Sequence, residues 1–336
     1  MNGAGTGFYP LIVLLLLSLI LILVVGRNKS TRPILIAPSN TCRPYNGRDT
    51  LLIPLSRDHN NIFLMDIKIN NSWVKAAVDT GSTRLLVSGS DCVSCTKQGP
   101  ISKVAYGSQS SKVRDEVADI TLNTFRYQCN QNIESFPTAL PFASDKKCLT
   151  TQANVNVAMN FHGTSNYNIV GLNANSVFLR AMMPVSPRAF SIHVRQLHDA
   201  SLLLYVPGMD CYVANHFLTM DRGLVQIQGL RLNGQAIEKG HARHVLVDTG
   251  ANALSVPSPL YQAMPRRGKM SIELMSVEGK PFRLAFPYDK SDGFNAQVLE
   301  TSGSSSKIIV GITFLAGYAV GSVQQGNMNY VTLDRL

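Results

Sequence analysis

Val78-Asp79-Thr80-Gly81-Ser82 and Val247-Asp248-Thr249-Gly250-Ala251 decide how this chain is read. Each aspartate closes an apolar, β-type run, Trp73–Val78 in the first case and His244–Val247 in the second. A glycine two positions on permits a tight turn, so each carboxyl is expected on a loop at the end of a buried strand. Ile169-Val170-Gly171 follows the first motif, and Ile309-Val310-Gly311 follows the second. That order is an internal repeat, and it predicts two similar β units with one aspartate each. A single Asp-Thr-Gly is a weak signal. The doubled pattern raises it above an ordinary turn in an unrelated β protein.

The surrounding sequence agrees. Short β-type runs at Ile62–Ile69, Leu85–Ser88, Ala118–Leu122, Ser201–Val206 and Leu224–Leu232 alternate with Gly, Asn and Ser turns. Asn70-Asn71 and Asn233-Gly234 are hairpin-turn signals. No long stretch carries strong 3.6-residue periodicity. The expectation is a mostly β protein with a few short helices, one of them near Pro259–Met264.

Two aspartate loops facing one another would bring their carboxyls within hydrogen-bond range. Like charges that close do not both ionise: one pKa falls, the other rises, and the pair shares a proton. One carboxylate then serves as general base on a water, while the protonated partner polarises a carbonyl.

From these residues outward, over roughly residues 50 to 333, the sequence resembles the pepsin-like aspartic peptidases. Leu85-Leu86-Val87 and Leu254-Ser255-Val256 match the apolar strands that follow each motif. The resemblance implies a bilobal pepsin-like acid-protease fold with Asp79 and Asp248 as the catalytic pair. It gives Thr80 and Thr249, with Gly81 and Gly250, the task of bracing the two loops across the dyad. It gives the Ser82 hydroxyl a bond to the outer oxygen of Asp79. Val104-Ala105-Tyr106-Gly107-Ser108 matches the mobile flap hairpin, so Tyr106, Gly107 and Ser108 are expected over the bound substrate. The substrate class implied is a polypeptide cut internally, with no cofactor, no metal and a monomeric catalytic unit. Turn residues capping their own backbone, and a surface hairpin tyrosine, are the plainer readings of the same positions.

Three departures from the family pattern matter. Ala251 stands where a second hydroxyl would bond ionised Asp248, so a higher dyad pKa and a less acidic optimum are expected. Leu86 stands where the family often has tryptophan. The stretch from Asp248 to Gly311 is shorter than that from Asp79 to Gly171. These departures support a rival reading from another class: a weak or inactive pepsin-fold binding module, such as a viral envelope protein. The two intact Asp-Thr-Gly motifs argue against it.

The chain has 336 residues, 45% hydrophobic and 15% charged, enough for two β lobes with their own cores. Residues 51–195 are expected to form the lobe of Asp79, and residues 196–336 the lobe of Asp248. Phe8 to Val25 is an apolar run of about 18 residues, or about 27 Å of helix, which just spans a bilayer core. Residues 1–26 therefore read as a short tail and a transmembrane anchor, the rival being a cleavable signal peptide. Residues 27–50, with Pro33, Pro38 and Pro44, read as a stalk or short propeptide.

Arg27, Lys29 and Arg32 after the span would leave the body on the cytosolic or nucleoplasmic side. The pepsin-like resemblance and the cysteines point instead to a secretory or extracellular space. The net charge of +10 is scattered, with no dense basic block, so no nucleic-acid partner is expected. The six cysteines have no histidines at metal-ligand spacing, which argues against zinc. Cys129–Cys148 and Cys92–Cys95 are the preferred disulfides, free thiols being the alternative.

Overall fold

Alternation of buried and exposed side chains sets most of the local structure. A computed structural model describes residues 43–336 except 45–50, 96–99, 107–108, 127–145, 163–166, 174, 185–187, 197–198, 206–214, 220–222, 239–240, 294–296 and 302–305. The expected membrane span at residues 8–25 and most of the 27–50 stalk lie outside the described residues. Those described are mostly β with two short α-helices, as expected, and fall in one unit, Ser39–Leu336. No helix among them is long and apolar enough to cross a membrane.

β1 (Arg43–Pro44) and β2 (Leu51–Arg57) precede a hairpin of β3 (Phe63–Ile69) and β4 (Ser72–Asp79). In β3, Phe63, Met65, Ile67 and Ile69 are buried, while Leu64, Asp66 and Lys68 between them are not. Asn70 turns the hairpin at φ 50°, a left-handed conformation that asparagine tolerates better than most residues. β5 (Leu85–Ser88) follows the first Asp-Thr-Gly loop. β6 (Ile101–Tyr106) and β7 (Gln109–Arg126) form a second hairpin, closed by the Tyr106–Gln109 pair. β7 runs on against β8 (Lys146–His162) for nearly its whole length, far past the short Ala118–Leu122 strand expected.

β9 (Asn168–Gly171) is buried throughout and lies between β4 and β5. It runs parallel to β4, with Asp79 opposite Gly171, and antiparallel to β5, with Leu85 opposite Val170. Helix α1 (Val177–Met182) follows, capped by Ser176 Oγ, which accepts the Leu179 N–H at 3.1 Å.

β10 (Arg188–Gln196) pairs with β11 (Asp199–Tyr205); β12 (Asn215–Leu218) comes next in the chain. Leu224–Leu232, expected as one strand, is two: β13 (Val225–Gln226) and β14 (Gly229–Leu232). The break has a physical cause. The Ile227 N–H goes to Arg243 O and the Gln228 N–H goes to Glu273 O, so the backbone changes partners between two sheets. β15 (Gln235–Ala236) completes the expected hairpin over Asn233-Gly234, both at positive φ.

β16 (His244–Asp248) ends on the second aspartate, and β17 (Leu254–Pro257) leads into α2 (Ser258–Ala263), near the helix expected there. β18 (Arg267–Met275) and β19 (Pro281–Asp289) form a long hairpin, and β20 (Val298–Thr301) pairs with β17. β21 (Lys307–Gly311) repeats the placement of β9. It is parallel to β16, with Asp248 opposite Gly311, and antiparallel to β17, with Leu254 opposite Val310. β22 (Tyr318–Gln325) and β23 (Met328–Arg335) close the chain.

Among the described residues three sheets result: one of 14 strands, one of five around β16, β21 and β17, and one of four around β14, β18 and β19. The boundary expected at residues 195 and 196 falls at the end of β10. That strand pairs with β11 on one side and β22 on the other, so hydrogen bonding is continuous across the boundary. Phe190 to Val194 are buried on both faces of β10. Burial on both sides places this strand within the core of the Ser39–Leu336 unit.

Candidate active site

The two aspartates occupy equivalent ends of equivalent strands, β4 and β16, each beside a buried apolar strand that ends in glycine. Each loop first satisfies its own carboxyl. The Gly81 N–H donates to Asp79 Oδ1 at 2.7 Å, and the Gly250 N–H donates to Asp248 Oδ1 at 2.9 Å.

The loops are then tied to one another through their threonines. Thr80 N–H donates to Thr249 Oγ1 at 3.1 Å, and Thr249 N–H donates to Thr80 Oγ1 at 3.0 Å. Each hydroxyl passes its own proton across the pair, Thr80 to Val247 O at 2.8 Å and Thr249 to Val78 O at 2.6 Å. Both threonines are buried, so four mutually satisfied bonds hold the loops in one register.

The glycines set how closely the carboxyls approach. A Cβ on Gly250 would lie 2.5 Å from Asp79 Cγ, and one on Gly81 would lie 2.7 Å from Asp248 Oδ2. Each carboxyl thus sits against the backbone of the other loop, in space that a methyl group would take. Gly250→Ala is expected to clash with Asp79 and destabilise the fold by about 1–3 kcal/mol; a melting curve checks this, and a wild-type melting temperature would contradict it.

Burial pushes the Asp248 carboxyl well above the usual carboxylate range. The charge of Asp79 and a side-chain hydrogen bond with it push in the same direction, against the Gly250 and Gly81 N–H groups. Those are the causes expected of two carboxyls that share a proton.

Two expected supports differ from the sequence reading. Ser82 Oγ is buried without a hydrogen-bond partner among the described residues, so the expected bond to Asp79 is not made. Ala251 acts through its backbone: its N–H meets Asp248 O at 3.3 Å, and its carbonyl accepts the Ile312 N–H at 2.8 Å. Tyr106 is the last residue of β6, at the turn of its hairpin. Gly107 and Ser108 lie outside the described residues. Leu86 is buried with Val104, Val113, Ala158 and Ile169 at the root of that hairpin, and Tyr167 packs on the cluster.

Tyr167 was not singled out by its sequence, nor were Asp58, Asn60 and Asn252, to which hydrogen bonds connect it. No motif marks them. Cys92 and Cys95 form the expected disulfide. Cys148 is disulfide-bonded as well, and its expected partner Cys129 lies outside the described residues. Among the described residues no cluster of His, Cys, Asp and Glu could hold a metal ion.

The sequence matches no protein-family model, and a search of curated proteins finds no match.

Proposed function

We propose that this chain is a membrane-anchored aspartic endopeptidase with a bilobal pepsin-like fold, Asp79 and Asp248 being its catalytic carboxyls. One observation carries the reading: two Asp-Thr-Gly loops interlocked through reciprocal threonine hydrogen bonds, with each carboxyl against the other loop's glycine. A fold needs no such arrangement for stability. Two carboxyls held this close cost energy unless they share a proton.

In the proposed reaction the shared proton rests on Asp248, where burial favours it. Asp79 takes a proton from a water as the water oxygen attacks the scissile carbonyl carbon. Asp248 donates its proton to the carbonyl oxygen, giving a tetrahedral gem-diol. The carbon–nitrogen bond then breaks as the amine receives a proton from Asp79, while Asp248 takes a proton from a gem-diol hydroxyl whose oxygen becomes the new carboxyl C=O, and the pair returns to one shared proton. No metal or cofactor takes part. Tyr106 on the β6–β7 hairpin is proposed to cover the extended polypeptide substrate and exclude water, with Gly107 and Ser108 beside it. Residues 8–25 are proposed as the bilayer anchor. The catalytic unit is proposed to be a monomer without a nucleic-acid partner.

The test is cleavage of a peptide library by the full-length chain between about pH 3 and 7, with and without a statine-type inhibitor. Inhibitor-sensitive cleavage is expected. Its absence across the range would favour the rival, a pepsin-fold binding module, to which the unpartnered Ser82 hydroxyl and Ala251 lend support.

Ala251→Ser supplies a second measurement. A hydroxyl bonding ionised Asp248 favours the charged form, so the dyad loses its shared proton at lower pH. The alkaline limb of kcat/KM against pH is expected to move acidward in this variant. A wild-type profile peaking near about pH 2–3 would instead contradict the raised dyad pKa.

A further inference from the structure

The loop between β2 and β3 contacts the second aspartate loop, and one tyrosine holds it there. Asp58 Oδ1 accepts the backbone N–H groups of Asn60 at 3.0 Å and Ile62 at 2.8 Å, which shapes the turn. Asn61 sits in that turn at φ 67°. Tyr167 Oη donates to Asp58 Oδ2, and Asn60 Nδ2 donates to Tyr167 Oη at 2.6 Å. The Asn60 carbonyl then accepts Asn252 Nδ2 at 3.4 Å. Asn252 lies four residues beyond Asp248, and its own carbonyl accepts Thr313 Oγ1 at 2.6 Å. Tyr167 also packs on the apolar cluster of Leu86, Val104, Val113, Ala158 and Ile169. Val104 and Val113 belong to β6 and β7, the hairpin that carries Tyr106.

We infer that Tyr167 is a positioning residue that couples the root of the β6–β7 hairpin to the loop of Asp248. Tyr167 joins the two: it packs on the apolar cluster that includes Val104 and Val113, and its hydroxyl is bonded to Asp58 and Asn60 of the turn that meets Asn252. Asp58 shapes the turn through its bonds to the Asn60 and Ile62 N–H groups. The tyrosine side chain is kept protonated by burial and by its bond to Asp58, so it stays a donor to that carboxylate. Leu86, where the resemblance leads one to expect a tryptophan, offers no polar group of its own in this cluster. Tyr167, the residue just before β9, brings a polar anchor to the same apolar site.

The inference rests on the peptidase reading for its effect on rate, but not for its effect on loop order. Tyr167→Phe keeps the ring and removes the two hydroxyl bonds. In the full-length chain it is expected to speed amide hydrogen exchange in both segments 101–113 and 248–256, leaving segment 188–205 unchanged. It is also expected to lower kcat by about tenfold at nearly constant KM. Asn252→Ala is expected to act through the same link, so the double variant should lose little more than the worse single one. Unchanged exchange in segment 248–256, or rate losses that multiply, would overturn the coupling. If the wild type shows no inhibitor-sensitive cleavage, the peptidase reading falls while the exchange data still decide the coupling.

Discussion

If the proposed peptidase reading holds, replacing either Asp79 or Asp248 by asparagine is expected to abolish peptide cleavage while leaving the fold in place. The carboxamide is close in shape to the carboxyl, and its oxygen can still accept the Gly81 or Gly250 N–H. It cannot take a proton from water at any working pH. Losing one member of a pair that acts as a unit costs about 10⁴-fold or more in kcat.

The stability of Asp248→Asn is the more discriminating readout. Folding raises the pKa of this buried acid above its ordinary 3.8. Between the unfolded and folded values, the native state therefore holds a proton that the unfolded chain has released. Wild-type stability contributed by this group is present at low pH and falls as pH rises from 3.8 through the folded pKa. Asparagine carries no such penalty. At neutral pH Asp248→Asn should melt at or above the wild-type temperature, and the gap should close in acid. A variant that melts well below wild type at pH 7 would contradict a buried, proton-sharing pair.

His193 is expected to impose the opposite slope. It lies on β10 between Ser201 of β11 and Ala319 of β22, with only 1% of its surface exposed. Burial, and then the neighbouring charge of Arg195, lower its pKa from 6.5 to about 3. Across that interval the unfolded chain binds a proton that the native chain excludes, so stability rises with pH. As pH falls from 6.5 towards 3, His193 should cost about 1.4 kcal/mol of stability per pH unit.

Urea unfolding at several pH values checks this in His193→Gln. The variant should lose that slope whatever its stability at pH 7, and a slope equal to wild type would refute it. Asp248 and His193 thus oppose one another in acid, so the difference between wild type and each variant isolates the contribution better than the wild-type curve.

What the sequence makes legible is local or repeated. Alternation in Phe63–Ile69 is visible because burial on one face of a strand has period two. Asn70-Asn71 and Asn233-Gly234 are visible because a tight turn needs residues that accept positive φ. The two Asp-Thr-Gly motifs and their apolar-apolar-Gly partners are visible because the same local geometry is needed twice. Their pairing in space follows that repeat: β9 beside β4, and β21 beside β16.

The Ser82 bond to Asp79 was expected and is not made, since a match in residue type does not fix where a rotatable hydroxyl points. The lengths of β7 and β8 were hidden because polar stretches such as Gln109–Lys112 become strand only when a long partner supplies the hydrogen bonds. The Leu224–Leu232 run breaks because its successive backbone groups find partners in different sheets.

By itself, then, the sequence determined the class of fold, the two aspartates and the glycines that let their loops turn. Period, turn chemistry and repetition act over a few residues, and a chain carries them wherever it folds. The tertiary structure alone decided the burial of His193 and the path from Tyr167 through Asp58 and Asn60 to Asn252. Those partners are up to 192 residues apart, and their meeting depends on the register of strands joined through long connections.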